Sequence, residues 1–144
     1  MAIYSQAQNT TVAGSAAPSF DFKASASNSP RLMEFGVNLG AATASTYGIG
    51  RPGNDGSVAQ TAGLAVLPEN PNDPAGQTTT AIAWSTAPTV PTTYFRRIYL
   101  PATIGAGVIW TFPRGLICVA SRGIVQWNIA ASAANTHNWI VVDE

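Results

Sequence analysis

Ten prolines and thirteen glycines recur along all 144 residues, and this punctuation constrains the fold more than any other feature of the sequence. Proline removes a helical hydrogen bond and glycine weakens helix interiors, so the apolar segments between them are too short for helices of ordinary length. Those segments are rich in Val, Ile, Thr, Tyr, Phe and Trp, and several alternate with the period of two that marks a half-buried strand.

The clearest alternation runs over residues 30–39. Met33, Phe35, Val37 and Leu39 share one face, and Glu34, Gly36 and Asn38 share the other. Further strands are predicted over 93–100, 107–112, 115–120, 123–129 and 138–142, with shorter ones over 19–23, 43–49, 63–67 and 80–84. Eight to ten short strands at even spacing predict an all-β fold: an antiparallel β-sandwich of jelly-roll type, with a closed barrel as the main rival. No internal repeat supports a propeller or solenoid. Residues 51–61 and 68–77 read as long exposed loops. Residues 1–17, rich in Ser, Thr, Ala, Gln and Asn, read as an extended N-terminal arm preceding a single domain over 18–144.

The core must fold this domain unaided. One cysteine forms no internal disulfide, and no Cys/His set holds a structural zinc. Only 10% of residues are charged, against roughly 25% in ordinary soluble domains. Seven basic and seven acidic residues cancel, a balance suited to a subunit packed against others. Lys23 and six scattered arginines form no basic stripe, so nucleic acid is not expected as a partner. No charged leader with an apolar stretch opens the chain, and no apolar run reaches membrane-spanning length, so synthesis in the cytoplasm without a membrane partner is expected.

Catalytic devices are equally hard to assemble. The single histidine, His137, has no nucleophile elbow to serve and reads as a turn residue. Cys118 lies in the apolar run 116–120 and reads as inert core. Of the seven carboxylates only Glu34 falls within a confident strand, as an outward-facing or arginine-paired group with Arg31, Arg96 and Arg97 available. Asn54, Asp55, Glu69, Asn70, Asn72 and Asp73 offer oxygen ligands on two loops, but in no calcium-loop spacing. No catalytic, cofactor or metal site is therefore expected, and the protein is read as a non-enzyme. Of the four tryptophans, Trp110, Trp127 and Trp139 lie in alternating strands and read as core; Trp84, before a turn-like 85–88, is the candidate for a glycan or partner contact.

Several strings resemble small proteins encoded in tailed-bacteriophage genomes: 31–37, 41–52, 83–91, Arg96-Arg97 with Leu100-Pro101, 110–116, and the acidic end Asp143-Glu144. The resemblance covers roughly residues 30 to 144 and carries no catalytic motif. It implies a capsid decoration, or cement, subunit: a homo-oligomer, dimer or trimer, bound to the major capsid protein on the virion surface. The alternative is a glycan- or receptor-binding module of a tail fibre or baseplate, since sandwiches host both. A polysaccharide-cleaving enzyme would need two facing carboxylates, and a non-viral β-domain would show a self-complementary apolar face.

Overall fold

The computed structural model describes residues 2–10, 14, 16–58, 63–130 and 135–144. They form thirteen strands and no helix: β1 (Ile3–Thr10), β2 (Ala17–Lys23), β3 (Arg31–Leu39), β4 (Ser45–Gly50), β5 (Ser57–Val58), β6 (Gly63–Ala65), β7 (Leu67–Pro68), β8 (Thr79–Ala81), β9 (Trp84–Thr86), β10 (Arg96–Leu100), β11 (Gly107–Ile117), β12 (Gly123–Ala130) and β13 (Thr136–Asp143). A five-stranded sheet has the order β11-β3-β13-β1-β7, a six-stranded sheet the order β10-β4-β12-β2-β8-β6, and β5 pairs with β9 alone. All described ladders are antiparallel.

The two large sheets pack face to face as a sandwich. Phe20, Phe22, Ile49 and Ile124 come from the six-stranded sheet and meet Phe35, Val37, Ile140 and Val142 of the other, all wholly buried. The Phe20 and Phe35 rings meet edge to face across the interface at 5.6 Å, and Trp110 packs beside Phe35 at 6.1 Å. Rings in this geometry add to what their buried area contributes.

Three expectations are corrected by the ladders. Residues 3–10 do not stand apart as an arm: β1 pairs with β13 at every position from Ile3↔Asp143 to Thr10↔Thr136, and Tyr4 is buried in the core. Residues 11–13 and 15, which belonged to the same expected arm, lie outside the described residues. The separate strands predicted over 107–112 and 115–120 are one strand, β11, interrupted by a bulge between Thr111 and Leu116. Residues 118–120 follow it outside any strand. On β3 the pairing with β13 steps from Glu34↔Val141 to Leu32↔Val142, so Leu32 is buried in place of Met33. An extra residue in one strand reverses the in-out alternation beyond it.

The two outer faces differ. Over the six-stranded sheet runs a third layer made of β9 and the segment that follows it. Tyr94 lies on Gly48, Pro91 and the Thr93 carbonyl lie on Gly50, and the Phe95 amide donates to the Ile49 carbonyl at 2.8 Å. Any side chain at Gly48 or Gly50 would collide with this cover. The outer face of the five-stranded sheet carries Ile109 at 56% and Leu67 at 64% exposure, so it stays open to solvent.

Candidate functional site

The open face is built from register. Ile109, Gly36, Trp139 and Ala7 form one row across β11, β3, β13 and β1. Thr111, Glu34, Val141, Ser5 and Leu67 form the next. Gly36 leaves the space that the Trp139 indole fills: the ring lies flat against the β3 backbone, where any side chain at residue 36 would overlap it. The indole Nε1–H donates to Glu34 Oε1 at 3.0 Å. That bond fixes the ring in the plane of the sheet and ties down the carboxylate of this two-row patch. Beside it lies a cleft of about 440 Å³ lined by Ser5, Gln6, Ala7, Leu67, Trp139 and Val141.

The four tryptophans therefore divide differently from the sequence pattern. Trp110 and Trp127 are buried at 9% and 8% exposure, in line with expectation. Trp139 is not core. It is half-buried on the outer face, while Asn138, its polar neighbour, points inward and is buried. Alternation locates two faces but does not say which is inside, and here the polar residue took the interior. The signal that could have found this site was Gly36 itself, a glycine inside the clearest strand, which marks a place where something lies close on the backbone.

Trp84, the residue singled out from sequence, starts β9 and is half-buried. Its Nε1–H donates to Asp21 Oδ2 at 2.9 Å, holding the third layer to β2. Asp21 sits beneath it, 4% exposed, and Oδ1 has no hydrogen bond of ordinary geometry. Burial raises this carboxyl to about 7, outweighing the indole hydrogen bond and the nearby Lys23, which favour the charged form. The indole N–H is thus committed within the protein.

Several of the remaining chemistry-bearing groups are engaged locally. Asp55 accepts from the Gly123 amide at 2.7 Å and pairs with Arg122 Nε at 2.9 Å, pinning the 51–56 loop to the start of β12. Asn54 and Asn70 cap their own turns through Gly56 N and Asn72 N. Among the described residues no three His, Cys, Asp or Glu side chains gather as a metal site. Glu34 meets an indole and not an arginine. His137 is no turn residue: it lies exposed within β13, paired with Asn38 and Asn9. Cys118 is buried, its thiol pushed up to about 11 chiefly by desolvation, and it donates to the Arg122 carbonyl at 2.9 Å. A thiol held protonated in this way is a poor nucleophile.

Protein-family models, curated proteins and solved structures offer no match to this chain.

Proposed function

We propose that the protein is a non-enzymatic binding subunit that docks through the open face of its five-stranded sheet, as a decoration subunit on the exterior of a phage head, with the major capsid protein as its partner. One observation carries this reading. Trp139, Ile109, Val141 and Leu67 form an apolar surface whose single carboxylate, Glu34, is already tied to the indole. Apolar surface left open on one side of a sandwich, while the other side is covered by the chain's own third layer, marks a contact surface. Docking there desolvates little charge, which is the main cost of burying a polar face. The same reading takes the sandwich as jelly-roll in type, supported by strands far apart in sequence lying side by side: β1 and β3 beside β13, and β2 beside β12.

Co-sedimentation with capsids that lack their decoration protein tests it. Wild-type protein is expected in the pellet, and Leu67→Ser with Ile109→Ser, both at exposed positions, in the supernatant with an unchanged melting transition. Wild-type protein that stays in solution at saturating capsid refutes the docking reading.

A second reading is favoured by the same ring. An indole laid flat beside Ser5 and Gln6 in a cleft is also suited to stacking on the apolar face of a sugar. Glycan-dependent quenching of Trp139 emission, without capsid binding, would move the assignment to a glycan-binding module.

A further inference from the structure

The fold sorts charges that the sequence scatters. All fourteen charged residues lie among the described residues. β10 and β11 are the edge strands of the two sheets on one side of the sandwich, joined where the Arg96 guanidinium lies 5.3 Å from the centre of the Phe112 ring. Five of the six arginines gather there. Arg96 and Arg97 stand on β10, and Arg114 tops the β11 bulge. Arg31 reaches from β3 to the Arg114 carbonyl at 3.2 Å. Arg51, just past β4, donates to the Ile117 carbonyl at 2.6 Å. All five are exposed, and Asp143, only 6% exposed, lines a cleft with Arg31 and Arg114.

The bulge shapes this edge. Four residues, 112–115, stand opposite Met33 alone, and Gly115 turns the chain at φ 66°, where a side chain would come within 2.6 Å of Arg31 Cβ. Pro113 and Arg114 therefore stand out as a ridge between two clefts of about 410 and 390 Å³. Arg31 and Met33 wall one, and Arg96, Phe112 and Leu116 wall the other.

The opposite edge is acidic. β6 and β7 bound the sheets there, and β7 runs into an exposed loop with Glu69, Pro71, Asp73 and Pro74. Asn70 braces it, donating to Asp73 Oδ1 at 3.3 Å and accepting from the Asn72 amide at 3.1 Å. Glu144 lies at its foot, its carboxylate accepting from the Gln77 and Thr78 amides at 2.9 and 2.7 Å. Lys23, on β2 beside β8, is the cation on that side. Four strand spacings of the five-stranded sheet, roughly 19 Å in all, separate the two edges.

We propose that this polarity is an assembly device: the Pro113–Arg114 ridge of one copy receives the Glu69–Asp73 loop of the next. Carboxylates meet guanidinium groups, which bind them in a planar fork, and the loop prolines lie against the apolar cleft walls. The contact joins two different surfaces, so it propagates head to tail and closes into a ring only if the rotation per copy allows. It does not depend on the capsid reading, because it uses the sheet edges and not the open face.

Sedimentation velocity of the whole protein at about 0.01 M and about 1 M salt tests this, since the screening length falls from roughly 30 Å to roughly 3 Å. Wild type is expected to associate at low salt and dissociate at high salt. Arg96→Glu/Arg114→Glu and Glu69→Lys/Asp73→Lys should each weaken self-association at least tenfold, and an equimolar mixture of the two should regain it, because each then complements the other. Arg114→Glu alone keeps the Arg96–Phe112 contact and should weaken association in the same direction, so a folding defect in the double variant does not decide the result. A monomer at low salt, association that ignores salt and these substitutions, or a mixture without recovery would each overturn the proposal. Charge-dependent assembly by a protein that ignores capsids would sink the docking reading and leave this one standing.

Discussion

A carboxyl group withdrawn from water holds its proton, and Asp21 makes the stability of this fold depend on pH. Its folded value of about 7 lies above the ordinary 3.8, so the folded state binds the proton more tightly. Stability from this group is then greatest below about pH 4, falls as pH rises toward 7, and is level above that. The fall is at most on the order of 4 kcal/mol. Asp21→Asn, which still accepts the Trp84 N–H, is expected to remove the slope, measured as urea midpoints at pH 5 and pH 8; a wild-type midpoint equal at both pH values would refute it. Gln126 is a second costly residue. It is fully buried, shares its inward side with Phe20 and Ile49, and neither amide atom has a protein hydrogen-bond partner. Gln126→Met keeps the volume and removes the unpaired groups, so it should raise stability by about 1 kcal/mol; a lower midpoint would show that the amide is needed. Neither feature was legible beforehand. Asp21 sits between Phe20 and Phe22 and Gln126 beside Trp127, and an alternating pattern reads such polar residues as solvent-facing. What overrides the pattern is the third layer above Asp21 and the second sheet across from Gln126.

At the scale of elements, β1 separates local reading from long-range pairing. Its sequence, Ile-Tyr-Ser-Gln-Ala-Gln-Asn-Thr, has little apolar content, yet its backbone fills a gap between β13 and β7. A strand of this kind is held by its ladder, by the buried Tyr4 ring and by the Tyr4 hydroxyl bond to the Pro74 carbonyl at 3.1 Å. Removing residues 1–10 is therefore expected to abolish the cooperative thermal transition. A truncated protein that melts like the full chain would restore the arm interpretation. β3, β12 and β13 were legible because each carries enough Val, Ile, Phe and Trp in alternation to announce a strand without its partners. β11 was legible in both halves but not as one element, because Pro113 and Gly115 look like a turn and only the neighbouring β3 shows that pairing resumes at Leu116.

For the whole molecule, the two surfaces proposed for binding make separable predictions. Ile109→Ser and Leu67→Ser lie on exposed positions of the open face, so they should change stability by no more than about 0.5 kcal/mol while reducing adsorption to apolar probes such as ANS. A large loss of stability would show that this face is held by interior packing. The candidate site is barely readable from sequence: alternation puts Trp139 in the core, and of the two readings open for Glu34, outward-facing or arginine-paired, the structure shows the outward-facing one, with an indole as partner. The arginines appeared scattered because sequence distance says nothing about which edge strands lie together; residues 31, 51, 96, 97 and 114 meet only after two sheets close. What the sequence determined by itself is what arises from near neighbours: proline and glycine forbid long helices, alternation makes strands, and apolar content forces those strands to pack in two layers. The tertiary structure alone decided which face of each strand is inside, which outer face is covered and where the charges gather. Those choices depend on strands tens of residues apart, and the free energy that selects them is released only when those strands meet.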